Sequence, residues 1–227
     1  MTVVPQPRPV TRTQSFAWVL ILLILTSVIQ LPLTRITNQI TGATLGWAGL
    51  YLVGFAVTVG LASWQYHRIH RGYQRLTRHD WGLMVAGYLF VLVLEQLLTW
   101  INRVWFHQVS TANNQAIAQL LSRGWLVTVL LSVTAIGVSP FLEEYLFRGL
   151  LIDGCLRDLS FWPPILISGI FFALVHANST LASWLIYAIM GGTFAYIYRR
   201  TGKLQSTIIL HAFNNLLAMG IMWTGLH

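Results

Sequence analysis

The chain has 227 residues, of which 56% are hydrophobic and 9% charged, with a mean hydropathy of +0.64. A soluble domain carries about 25% charged residues, so this composition excludes an ordinary soluble protein and predicts an all-α, polytopic transmembrane helix bundle. The net charge of +8 does not indicate a nucleic-acid partner, because the cations lie between apolar runs, where membrane topology places them; the single cysteine, Cys155, excludes an internal disulfide.

Residues 1–15, with three prolines and two arginines, are expected to form a disordered cytoplasmic tail. Apolar runs of spanning length follow at about 16–33, 45–66, 81–101, 125–147, 162–177, 181–198 and 204–224. They predict about seven helices, the N-terminal three falling within 16–110. The first run follows Arg8 and Arg12 as a signal peptide would, but no small-residue cleavage site follows it, so a retained first helix is expected. His67–Asp80 reads as a basic loop, its His67, His70 and His79 facing anionic headgroups. Asn102–Gly124 is polar enough for a loop with an amphipathic turn around Ala116–Leu121. Ten Arg and Lys residues fall before the first run and in alternate loops, against three (Arg35, Arg103 and Arg123) in the other loops. The positive-inside rule then puts the N-terminus in the cytoplasm and the C-terminus outside. Trp81, Trp100, Trp105, Trp125 and Trp162 stand near helix ends as interfacial anchors.

Only six acidic residues occur, and Glu143 and Glu144 are adjacent within an apolar run. Two buried carboxylates side by side are costly, and ionisable groups inside a membrane mark function by default. Arg148 lies four residues after Glu144, on the same helical face, while Glu143 points about 100° away. Pro140 is expected to bend the helix just before the pair. Two further polar constellations follow, Phe172 with His176 and His211 with Asn215. A helix reversal at Ser160–Pro164 brings Glu143 and His176 to similar depth, and His211 lies eight residues beyond Lys203, about 12 Å in from the same side. All are expected to meet around a cavity opening toward the cytoplasm. A buried acid beside a second acid suits general-base work near neutral pH. His176 would hold the same water, and His211 and Asn215 would donate toward an oxyanion. Cys155 and Ser139 show no base at an obvious spacing, which disfavours a covalent acyl-enzyme. Glu95, mid-helix in the third run, reads as a structural hydrogen-bonding group. Gly191-Gly192 reads as a site of close helix packing.

In this order, EExxxR (Glu143, Glu144, Arg148), FxxxH (Phe172, His176) and HxxxN (His211, Asn215) resemble the CAAX protease and bacteriocin-processing family of intramembrane proteases, also called Abi or Rce1-like. The resemblance covers about residues 120–224. It implies a hydrolase acting on a peptide or protein substrate at the lipid bilayer, with Glu143 and His176 activating water, His211 and Asn215 at the oxyanion, and Glu144 and Arg148 in support. A divalent metal such as zinc stays open: Glu143, His176 and His211 give three ligands with one position free, but no HExxH helix is present. Two rival readings are a catalytically silent regulator or bacteriocin-immunity scaffold of the same fold, and a proton- or ion-coupled transporter.

Overall fold

The computed structural model describes residues 10–70 and 74–224, and every regular element in them is helical. Helix α1 (Arg12–Val28) starts at Thr11, whose side chain accepts from the Gln14 amide while Gln14 reaches back to the Thr11 amide. Residues 12–15 therefore belong to the first helix, with Ser15 buried, rather than to the expected tail; residues 1–9 lie outside the described residues. A 3-10 turn, Leu31–Arg35, leads to α2 (Gly42–Ile69), and α3 (Arg78–Phe106) follows. Both helices run into the expected basic loop, because Thr77 and Asp80 form a second capping box at the start of α3. Of that loop, residues 71–73 lie outside the described residues.

The expected loop after α3 contains a further helix, α4 (Ala112–Leu121), capped by Thr111. Next comes a broken span: α5 (Trp125–Gly137), α6 (Ser139–Glu144), and a segment of wide π-helical turns, Tyr145–Cys155. The break falls at Val138 (φ −124°, ψ −49°), immediately before the Ser139-Pro140 start of α6. Proline has no amide hydrogen to continue the ladder, so the expected bend is present. The chain then forms α7 (Trp162–Val175), α8 (Leu181–Thr201) and α9 (Leu204–Thr224), with Gly202 in the left-handed conformation (φ +66°) ending α8.

Among the described residues, six spans are long and apolar enough to cross a membrane. The remaining expected run, 162–177, forms α7, whose 14 residues span about 21 Å, short of the roughly 30 Å hydrocarbon core. It lies against α8 at a separation only glycine allows: a Cβ on Gly169 would come 2.7 Å from the Ala188 carbonyl, and one on Gly191 would come 2.6 Å from the Phe172 Cβ. Lys203 Nζ, 2.6 Å from Asp80, ties α9 to α3 at the basic end. There Arg12 also pairs with Asp158, and His70 and Tyr198 both meet Asp153. His70 thus joins α2 to the π-helical segment instead of facing headgroups alone.

Candidate active site

The most buried charge in the molecule is paired. Glu144 and Arg148 both have no exposed surface. Arg148 Nη1 donates to Glu144 Oε1 at 2.9 Å, and Nη2 donates to the Gly191 carbonyl at 2.9 Å. The Phe147, Phe172 and Phe194 rings surround the guanidinium at 5.9, 5.2 and 5.6 Å, so the cation is held by both charge and ring faces. Glu144 Oε1 also accepts from His211 Nδ1 at 2.9 Å. One anchored carboxylate thereby fixes the imidazole of α9.

His176 is fixed differently. It stands just past α7 with extended backbone, and its Nδ1 donates to the Phe172 carbonyl at 2.6 Å. A carbonyl only accepts, so Nδ1 carries the proton. The Tyr187 ring stacks on the imidazole, 4.4 Å between centroids at 15°. With Nδ1 the donor on both histidines, both Nε2 atoms are free to face the remaining acid. Nε2 of His176 lies 4.0 Å, and Nε2 of His211 3.8 Å, from Glu143 Oε2. Glu143 Oε2 is buried and has no hydrogen-bond partner among the described residues; Oε1 accepts from Ser139 Oγ at 2.6 Å.

Asn215 is one turn beyond His211, but its Nδ2 donates to the Ala135 carbonyl, 2.8 Å away at the bend before Pro140. That bond leaves one N–H for any other role. Ser139 corrects a sequence expectation: a carboxylate does stand within reach of it, four residues on along the same helix. Tyr187 and Phe194 also carry no motif, although Tyr187 precedes Gly191 by one turn on the face that meets α7.

Whether these side chains suit a metal is decided by their spacing. Donors about 2.1 Å from a tetrahedral zinc stand about 3.4 Å apart. Both edges running from Glu143 Oε2 are longer, and among the described residues no group of three His, Cys, Asp or Glu side chains has metal-holding geometry. As they stand, the three residues do not fit a zinc ion. Each edge does fit a water at about 2.8 Å from its two atoms, donating one O–H to Glu143 Oε2 and the other to an imidazole Nε2.

The groups line a cavity of about 580 Å³. Its walls include Thr26 and Gln30 at the far end of α1, Asn114 and Leu120 of α4, and Met222 of α9. The lining therefore extends from mid-bundle toward the end opposite the basic loops, not toward the basic end where the cavity was expected to open. The polar stretch after α3 folds into α4 and helps to form that outer wall.

Residues 123–217 match the family model described as "Type II CAAX prenyl endopeptidase Rce1-like". The chain is also 34% identical over 103 residues to a Bacillus subtilis (strain 168) protein described as "Putative membrane peptidase YdiL". That alignment covers 45% of this chain and 40% of the relative, so the chain spans less than half the length of the relative it matches. No match to a solved structure is found.

Proposed function

We propose that this chain, whose residues 123–217 match the Rce1-like family, is an intramembrane endopeptidase that hydrolyses a peptide bond of a membrane-associated or lipidated peptide by direct attack of water. One observation carries the reading: three acceptor atoms, Glu143 Oε2 and the two Nε2 atoms, face one another within 4.0 Å along both edges from the acid. A water among them gives a proton to Glu143 as its oxygen bonds the scissile carbonyl carbon. His176 orients that water. The oxyanion is met by the remaining Asn215 N–H and by His211, whose Nε2 takes a proton from solvent before the cycle and keeps it, with Glu144 at Nδ1 balancing the imidazolium. Collapse breaks the C–N bond and Glu143 returns its proton to the leaving amine. Glu144 and Arg148 do not touch substrate; they set the angle of His211 and the seat of Phe172. No step depends on a bound metal.

The Ser139–Glu143 bond supports a second route, in which Ser139 Oγ attacks the carbonyl and Glu143 takes its proton. Cleavage of peptides by protein purified in detergent separates the readings, with Glu143→Ala, His176→Ala, His211→Ala and Ser139→Ala compared. Water attack requires the first three to abolish cleavage and Ser139→Ala to preserve it. Loss in Ser139→Ala, with a trapped acyl-enzyme, replaces the first route with the second. Cleavage unaffected by Glu143→Ala removes both, and no cleavage by folded wild-type protein returns the chain to a silent scaffold.

A further inference from the structure

Glu95 takes no part in the chemistry above. It lies in α3, 17 residues from Arg78 and 11 from Phe106, about 25 Å and 16 Å from the helix ends. It is half-buried, lines the cavity, and has no ion-pair or hydrogen-bond partner among the described residues. The sequence reading of a structural hydrogen-bonding group therefore lacks the bond it requires. A carboxylate kept at mid-membrane depth without a partner is costly in the absence of a compensating charge.

The rest of the cavity lining leans the same way. Among the described residues that form it there are two carboxylates, Glu95 and Glu143, and no lysine or arginine. Arg148 is close in sequence but wholly buried against Glu144. Three of the lining hydroxyls direct their protons to their own helix backbone: Thr26 donates to Leu22 O at 2.7 Å, Ser27 to Leu23 O at 3.0 Å, and Thr134 to Leu130 O at 2.8 Å. Asn215 donates to Ala135 O. These hydroxyls leave lone pairs toward the space, both imidazoles add Nε2, and Asn215 keeps one N–H. Lining carboxamides such as Gln30 and Asn114 present N–H groups as well as lone pairs, so what favours a cation here is the two carboxylates with no lysine or arginine beside them.

We infer that the cavity takes a peptide segment bearing a lysine or arginine side chain, with Glu95 as its counter-charge. Cleavage of the bound segment rests on the peptidase reading; binding itself does not. Removing one partner of a desolvated charge pair costs at least about 2 kcal/mol, or about thirtyfold in affinity.

The test is equilibrium binding of fluorescein-labelled peptides that differ at one position, lysine against norleucine and arginine against citrulline. The protein carries His176→Ala, so that the proposed hydrolysis is removed and both carboxylates remain. The lysine and arginine peptides are expected to bind at least about thirtyfold more tightly than their neutral counterparts. Adding Glu95→Gln should bring each ratio to within about twofold, and Glu95→Asp should keep part of the preference. Equal binding of charged and neutral peptides overturns the inference, as does a preference that survives Glu95→Gln or is lost equally in Glu95→Asp. If Glu95→Gln does not fold, Glu95→Asp and the four-peptide comparison still decide. Wild-type protein that prefers the basic peptides yet cleaves none would leave this inference standing and remove the peptidase reading.

Discussion

Replacing Arg148 by alanine tests the view that a neutralised carboxylate underlies the site. The side chain has no exposed surface and makes two charge-assisted bonds of 2.9 Å, one to Glu144 and one to the Gly191 carbonyl. Arg148→Ala leaves a buried, unpaired Glu144, an unbonded carbonyl, and a hole between three phenyl rings. Breaking a buried pair by removing one partner costs about 3–5 kcal/mol, a factor of roughly 150 to 5,000 in the folding equilibrium. The assay is thermal unfolding in detergent followed by tryptophan fluorescence, for which the chain supplies ten indoles. The double variant Glu144→Gln/Arg148→Met removes both charges and should recover at least half of the loss, because the uncompensated carboxylate is the larger part of it. An Arg148→Ala protein with wild-type unfolding, or a double variant worse than the single one, would refute the claim that pairing stabilises this core.

Gly191→Ala should destabilise by about 1–3 kcal/mol and lower cleavage, because its methyl would meet Phe172 at 2.6 Å; Gly192→Ala, with nothing within 4 Å of the added carbon, should be neutral in the same unfolding assay. Tyr187→Phe keeps the ring on His176 but loses the hydroxyl bonds to Thr111 (2.9 Å) and Asn114 (3.4 Å), so a loss of about 0.5–1.5 kcal/mol is expected. Tyr187→Ala should in addition lower kcat more than it raises KM, since it frees the imidazole rather than a substrate contact. Prolonged treatment with a strong chelator should leave cleavage within about twofold, given edges wider than the roughly 3.4 Å of a zinc ligand set; complete loss restored by added zinc would show that the three side chains close on a metal.

The membrane bundle is legible because apolar length and arginine placement are properties of the chain itself. The pairing of Glu144 with Arg148 follows from a spacing of four on one helix, and the bend follows from Pro140. Convergence of Glu143, His176 and His211 also follows from counting residues to the turns. The direction of the cavity does not, because it depends on α4, packed on α5, lining the same space as the ends of α1 and α9, and a polar ten-residue helix looks like a loop in composition. Neither does the His211 tautomer, which is set by Glu144 from another helix, whereas that of His176 is set by the carbonyl four residues back in its own. Tyr187 escapes for a related reason: its contacts lie 11 residues before it at His176 and 76 before it at Thr111, with no periodic pattern linking them. Ser139 was within reach of the same spacing rule that pairs Glu144 with Arg148.

The most direct measurement is single-turnover cleavage of one peptide by wild-type protein and by Glu143→Gln, each checked for unfolding temperature. Glu143 Oε2 makes no hydrogen bond among the described residues, so the amide should leave stability close to wild type. Loss of the base should slow cleavage by at least about hundredfold. Equal cleavage rates from two equally stable proteins would contradict water activation by Glu143.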